Sequence, residues 1–445
     1  MPQKSPSYVE RGYSGDFGLT GLTEQLCSPD HSATDLATDF PAALAVVARS
    51  ADGSDGEEAV ELGEDARRLL DGPLSEGDLH TVWLAVTGRM FDPAGHGMDI
   101  RTWLRTVSDL ATDRLRQNRR SYVPPPVRPV RDEGLCGEIV AEIQGLATEL
   151  TAAAGLPDLA AGLERVVTLA DADLGFRLLL RALKVHSVQV PKERYDRFRE
   201  LGERLGYPVA VVRDGLTVDW PPIDTTRRDT EGDFGLSRLA GNAHQDWRES
   251  TARREVRRVA DADEPGQSPG TAAALLLEDT LRLLHSPLSD ATITTLWLAV
   301  SDAALRGDGR DRLRLIADVC EEQLREVAPG YTVVVPPVRT EGADSVMREV
   351  REAALAVKGG AVSPHWQPIP AEEAMAALKQ VVGRVDPDLG FRLLLRVLRA
   401  LSARITRGQY ERYEALGERF GFGEYHVYEV EQLVRPENSA TRSRG

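Results

Sequence analysis

The sequence is organised around nine residues, Asp173-Leu-Gly-Phe-Arg-Leu-Leu-Leu-Arg181. The same nine residues return unchanged as Asp388-Leu-Gly-Phe-Arg-Leu-Leu-Leu-Arg396, which lies 215 positions later. Each copy is followed at the same distance by a tyrosine and then by a Leu-Gly-Glu-Arg run. Self-similarity over so long a period predicts a tandem duplication of a whole structural unit.

Shorter matches extend the repeat on both sides of the central stretch. They are Gly15-Asp-Phe-Gly-Leu19 with Gly232-Asp-Phe-Gly-Leu236, Glu64-Asp65 with Glu278-Asp279, Pro73-Leu-Ser75 with Pro287-Leu-Ser289, and Pro125-Pro-Val-Arg128 with Pro336-Pro-Val-Arg339. We therefore predict two homologous lobes, at 1–222 and 223–445, with the charged stretch 224–232 as the linker. The Gly-Asp-Phe-Gly-Leu match is interpreted as a structural turn, in which Gly permits a tight bend and Phe anchors it to the core.

Each lobe is predicted to be mainly α, with two helical parts joined by a Pro-rich segment. In the first lobe, apolar spacing favours helices at 57–71, around Trp83 and at 99–117. Successive prolines after Tyr122 exclude a helix there. A stiff spacer is favoured over a docking ligand for this segment.

The second helical part contains the central stretch. It begins near Gly137 with a helix in which Ile139, Ile143, Leu146 and Leu150 follow an i, i+4, i+7 pattern. It continues past a short helix at 157–169 to the central helix, which Asp171 or Asp173 would cap. A last helix is predicted at 191–205, and its counterpart at 406–421. Short extended pieces at 209–212 and 426–430 close the lobes. In the central helix the leucines form the buried side, and Arg177, Arg181 and Lys184 fall at i, i+4 and i+7 on the other side.

Composition limits the classes of function. The chain is 42% hydrophobic and 28% charged, which is ordinary for a globular protein. It contains no apolar run near the ~20 residues of a membrane span, and its first residues lack a signal-peptide core. A cytoplasmic location without membrane association is therefore expected. The three cysteines differ in position between the two copies, which argues against a disulfide framework or a cysteine metal site.

Charge is the strongest compositional bias, with a net value of −16. Residues 1–222 contain 24 basic and 35 acidic residues, a net of −11, and residues 223–445 contain 30 and 35, a net of −5. This balance opposes binding to nucleic acid and favours a basic protein partner. The alternative is that the acidic surface only maintains solubility.

Motifs for catalysis are not found in the sequence. None of the eight histidines recurs at its matching position, and no metal-ligand spacing, nucleophile elbow or phosphate-binding glycine loop is present. We predict no catalytic residue, cofactor or metal. Adjacent carboxylates such as Glu64-Asp65 are interpreted as solvated helix faces.

A family resemblance is carried by residues 155–207, which include Gly155-Leu-Pro-Asp158, the central stretch, Val190-Pro-Lys-Glu-Arg-Tyr195 and Leu201-Gly-Glu-Arg-Leu-Gly-Tyr207. This pattern resembles the small all-helical bacterial immunity proteins of the MafI-like and colicin-D-immunity-like groups, and residues 386–423 match it equally. The resemblance covers about a quarter of the chain. It implies binding and blocking of a protein toxin, often a nuclease.

The first hypothesis is therefore an acidic, two-lobed helical protein that neutralises a basic toxin by stoichiometric contact. The candidate partner-binding residues recur in both copies: Glu64, Asp65, Asp173, Glu203, Glu278, Asp279, Asp388 and Glu418. Asp173 and Asp388 can equally be helix caps. A self-associating helical scaffold is the second hypothesis, and an enzyme with its site between the lobes is the third. The partner and the oligomeric state are left open.

Overall fold

The chain forms two compact units, Met1–Trp220 and Pro221–Gly445. The boundary lies two residues before the predicted one. The structure is a computed structural model that describes residues 15–28, 39–52, 56–118, 123–124, 126, 128–226, 230, 232–243, 249–301, 308–334, 337–362, 369–423 and 425–435. Part of the predicted linker and part of each Pro-rich segment lie outside these residues.

The mainly helical prediction is confirmed. The first unit contains α1 Gly18–Leu26, α2 Phe40–Ser50, α3 Glu57–Asp71, α4 Glu76–Val86, α5 Ile100–Asn118, α6 Glu133–Gly145, α7 Ala147–Ala154, α8 Leu159–Arg165, α9 Ala172–Val185, α10 Lys192–Arg204 and α11 Val209–Arg213. A π-helical turn, Val166–Ala170, continues α8. The only strands among this unit's described residues are β1 Gln189–Pro191 and β2 Thr217–Asp219, which pair in parallel.

The second unit follows a closely similar order. Its helices are α12 Gly235–Asn242, α13 Glu249–Ala260, α14 Thr271–Leu284, α15 Asp290–Val300, α16 Gly309–Val327, α17 Ala343–Ala356, α18 Ala371–Arg384, α19 Pro387–Ala400 and α20 Arg407–Phe420. Two short strands, β3 Ala361–Val362 and β4 Ile369–Pro370, pair antiparallel. A 3-10 turn, Tyr428–Leu433, follows α20.

Helix starts follow the capping chemistry of the sequence. Ser75 begins α4 with a capping box, in which its hydroxyl accepts from the Asp78 N–H and Asp78 accepts from the Ser75 N–H. Asp171 caps α9 by accepting from the Leu174 N–H at 2.7 Å, and Asp386 caps α19. Of the two aspartates proposed as caps, Asp171 is the one that caps, and Asp173 lies inside the first turn.

Three local predictions were wrong. The helix expected from Gly137 through Leu150 is broken at Leu146, which separates α6 from α7. Residues 209–212 form the short helix α11 instead of an extended piece; the helix begins after its N-cap Pro208, whose carbonyl accepts from the Val211 N–H at 3.0 Å. Residues 426–430 run into the 3-10 turn instead of a strand. Valine-rich runs suggested strands here, and tertiary context overrides that propensity.

The central helix of each unit lies in the core. Every residue of α9 from Ala172 to Leu183 is buried, and α19 is buried in the same way from Pro387 to Leu395. Helix α9 packs against α1, α4, α6 and the end of α8. A helix buried on all sides must satisfy every charged group that it carries, because an unpaired charge in the core is costly.

Gly18 is a position where both the backbone conformation and the available space require glycine. Its φ of +57° is left-handed, and a Cβ there would overlap the Asp65 carboxylate. We expect Gly18→Ala to lower the free energy of unfolding by at least the roughly 1–3 kcal/mol of left-handed strain. Gly137 lies inside α6 with open space around it, so Gly137→Ala should stabilise by up to about 1 kcal/mol. Urea denaturation of both variants tests this, and equal effects would contradict it.

Candidate functional site

A buried ion-pair network joins three distant segments of the first unit. Arg177 of α9 binds Asp65 of α3 through two parallel bonds of 2.7 Å each. It also donates to the Phe17 carbonyl at 3.2 Å, and it lies 4.4 Å from the centre of the Phe17 ring. Asp173 adds a second carboxylate at 3.2 Å. The Gly-Asp-Phe-Gly-Leu turn is therefore anchored on the central helix.

The second unit makes the same contacts. Arg392 of α19 binds Asp279 of α14 at 2.8 and 2.7 Å, and it donates to the Phe234 carbonyl at 3.1 Å. Its guanidinium lies 4.3 Å from the centre of the Phe234 ring. Asp388 accepts from Arg392 Nε at 2.8 Å.

The ion pair between Asp65 and Arg177 is charged on both sides at neutral pH. Burial alone would raise the pKa of Asp65, but the Arg177 guanidinium outweighs burial, and the pKa of Asp65 lies below its usual value. Burial opposes ionisation of Arg177 as well, and its two carboxylate partners hold its pKa well above the usual value. Asp65 therefore remains ionised at neutral pH and is unsuited to general acid work.

A second arginine in each unit links the network to the helix cap. Arg68 of α3 bonds Asp65 at 2.8 Å and lies 3.5 Å from the cap residue Asp171. In the second unit Arg282 bonds both Glu278, at 2.6 Å, and the cap residue Asp386. Each central helix is thereby tied at its first turn to the helix that carries the network aspartate.

The arginines predicted to lie on the polar side of the central helix are buried, which corrects that prediction. Arg181 donates to the Thr23 and Val86 carbonyls at 3.2 and 3.4 Å. Lys184 bonds Asp16 at 2.7 Å, and Asp16 is also 3.6 Å from Arg181. The solvated-face interpretation of Glu64-Asp65 is wrong for Asp65, which has no exposed surface.

The two networks differ next to their aspartates. In the first unit the Tyr207 hydroxyl donates to Asp173 at 2.5 Å. Phe422 occupies the matching position and carries no hydroxyl; its ring lies 4.3 Å from the buried ring of His426. His426 Nδ1 lies 3.2 Å from the Gly232 carbonyl.

The predicted partner-binding residues divide into two groups. Five are buried within their units, where each forms an ion pair with an arginine of its own unit: Asp65, Asp173, Glu278, Asp279 and Asp388. Glu64 is partly exposed and bonds Arg68 at 3.2 Å. Glu203 of α10 and Glu418 of α20 are exposed. The contact role of all eight stays a prediction, and the buried five have a structural role.

An acidic segment at residues 132–164 was missed by sequence reasoning. Its 33 residues contain seven carboxylates and neither Lys nor Arg. Glu142 is buried and bonds Arg194 and Arg197 of α10 at 2.6 Å each. The exposed carboxylates of the segment are Asp132, Glu133, Glu138, Glu149 and Asp158. Helix α17 of the second unit carries Arg348 and Arg351 among its three acids. In the first unit, by contrast, α6 and α7 carry carboxylates and neither Lys nor Arg.

Among the described residues, no group of three or more His, Cys, Asp or Glu side chains is arranged to hold a metal ion. No described helix combines the length and the apolar character needed to cross a membrane.

Comparison with known proteins finds no matching family model, no matching curated protein and no matching solved structure.

Replacing Arg177 should strongly lower the free energy of unfolding of the first unit. Arg177→Met leaves Asp65 and Asp173 buried without their partner, and we expect a loss of about 3–5 kcal/mol in the free energy of unfolding. Arg213→Met breaks an exposed pair with Asp214 and should change it by less than about 0.5 kcal/mol. Urea denaturation followed by far-UV circular dichroism measures both. A small loss for Arg177→Met would refute the structural role.

His426 should make the second unit sensitive to mild acid. Burial lowers the pKa of His426 below its usual value, so the unfolded chain binds a proton more readily than the folded one. The contribution of neutral His426 to the free energy of unfolding is therefore complete above about pH 6.5, the pKa of histidine in the unfolded chain. It is lost as the pH falls below that value. Between about pH 7 and pH 5, His426→Gln should therefore flatten the decline in unfolding free energy. His285→Gln, at an exposed position, is the matched control, and equal slopes in the two variants would contradict this origin.

Proposed function

We propose that the protein is a cytoplasmic, non-enzymatic binding protein that neutralises a basic protein toxin by stoichiometric contact. We further propose that its two units arose by tandem duplication, with a Pro-rich segment joining the helical parts of each. The acidic segment of the first unit is the observation that carries the binding proposal. The resemblance of residues 155–207 to bacterial immunity proteins supports the class of partner.

The acidic segment is suited to a basic partner because several of its carboxylates are exposed and are not neutralised by cations of the same unit. Neighbouring α10 contributes cations, but Arg194 and Arg197 are engaged by Glu142, and Arg204 bonds Glu138 at 2.6 Å. Glu133, Glu149 and Asp158 form no ion pair with any described residue, and all three are exposed. Complementary charge of this kind speeds encounter and makes binding sensitive to salt.

Charge reversal tests this surface. Affinity capture from the host lysate should recover a basic protein with the wild-type chain at low salt and release it at high salt. The triple variant Glu133→Lys, Glu149→Lys, Asp158→Lys should lose at least about tenfold in affinity for that protein. The matched control makes the same charge change in the second unit, at Asp344, Glu372 and Glu373, which are also exposed.

Neutralisation requires a further measurement. The captured protein, expressed alone, should arrest growth, and co-expression of the wild-type chain should restore growth while the first-unit triple variant should not. Size-exclusion chromatography should show a one-to-one complex. Equal binding by the two triple variants, or a captured protein that is harmless to cells, would refute the proposal.

A self-associating scaffold is the second candidate, and one surface favours it. The segment before α17 exposes Val333, Val334 and Val338 beside its prolines. Exposed apolar patches of this kind often mark association surfaces. Light scattering at rising protein concentration separates the candidates, because a scaffold should increase in mass without any partner.

A further inference from the structure

The second unit contains a cavity at the start of its central helix. Its volume is about 310 Å³, and it is lined by Thr226, Arg339, Glu341, Asp386, Asp388, Arg419 and Phe420. This volume is at the lower end of the range of small-molecule sites, which is roughly 300–1,000 Å³. Side chains of both charge signs and one aromatic ring therefore surround a space suited to a small molecule.

The cationic side of the cavity has unused capacity for hydrogen bonds. Arg419 forms no hydrogen bond or ion pair with any residue in the described part of the chain. Arg339 bonds Glu278 at 3.1 Å, and its side chain is one-third exposed. Two guanidinium groups at one cavity are well suited to a carboxylate, because each presents several N–H donors in a plane.

The anionic side consists of Asp386, Asp388 and Glu341. Arg282 and Arg392 bond the two aspartates from within the core, so these carboxylates are held in fixed positions. Burial, and then the nearby Asp388, raise the pKa of Asp386 above its usual value. A cation in the cavity would offset that repulsion. Glu341 is exposed and forms no hydrogen bond or ion pair with any described residue.

The matching place in the first unit is occupied by the chain itself. Val130, at the position of Glu341, donates its N–H to the cap residue Asp171 at 2.8 Å and accepts from the Ala172 N–H at 3.0 Å. Arg204, at the position of Arg419, bonds Glu138 at 2.6 Å. In the second unit Arg282 takes the place of the backbone donor at the cap. The same helix start is therefore closed by backbone in one unit and lined by a cavity in the other.

We propose that this cavity binds a small zwitterion of the free amino acid class. Its carboxylate is held by Arg339 and Arg419, its ammonium group by Asp386, Asp388 and Glu341, and its apolar part lies against Phe420. This site is in the second unit and is independent of the proposed toxin surface in the first.

Isothermal titration of the full chain with each of the twenty L-amino acids tests the proposal. At least one should bind with a stoichiometry of one and a Kd below about 1 mM. Arg419→Ala should weaken that binding by at least about tenfold, because it removes charge-assisted hydrogen bonds. Glu341→Gln should weaken it as well. Arg204→Ala, which changes the matching arginine of the first unit, should leave it unchanged.

Two probes carrying half of the charge pattern complete the test. Sodium acetate and methylammonium chloride should each bind more weakly than the amino acid by at least about tenfold. The proposal is overturned if no amino acid binds at millimolar concentration, or if Arg419→Ala and Arg204→Ala bind it equally well. Equal binding of acetate would make the cavity a simple anion site and would also overturn it.

Discussion

The bidentate ion pair between Arg177 and Asp65 is the constraint on which the first unit depends. These residues are 112 positions apart, and the same guanidinium reaches the Phe17 carbonyl 160 positions away. One side chain thus fixes the entry to α1, the middle of α3 and the first turns of α9. Such buried pairs contribute little net stability, because desolvation of both charges opposes their attraction. We infer that the pair specifies which elements meet in the core.

Sequence periodicity was sufficient to locate most helices of the first unit, but it did not reveal that the central helix is buried on all sides. The bounds predicted for α3 agree with the structure, and Asp171, one of the two residues expected to cap the central helix, is its cap. The arginines of α9 were interpreted as a polar face because an i, i+4 pattern usually indicates solvent. A helix whose arginines bind carboxylates and carbonyls from other helices produces the same pattern. The partner of Arg177 lies far away in sequence, so no local signal identifies it.

The residues that recur in both copies are mainly those that hold the core of each unit together. Asp65 and Asp279 recur because each pairs with the arginine of its own central helix, so recurrence alone made them appear to be binding residues. The acidic segment 132–164 does not recur, since its counterpart helix contains arginines. The signal that could have identified it was the uninterrupted absence of Lys and Arg. A function located on one unit's surface is better sought where the copies differ.

The two units satisfy the cap aspartate at the start of the central helix with different hydrogen-bond donors. Asp171 and Asp386 occupy equivalent caps, and each requires a donor for the carboxylate oxygen that its own helix does not use. In the first unit the Val130 N–H is that donor, and in the second it is Arg282. Once a side chain from the core supplies the bond, the connecting segment no longer has to cross the helix start. A buried carboxylate needs hydrogen-bond donors, so each unit keeps a donor beside its cap aspartate. Because that donor is a backbone N–H in one unit and an arginine in the other, the space outside the helix start is filled by backbone in the first unit and is a cavity in the second.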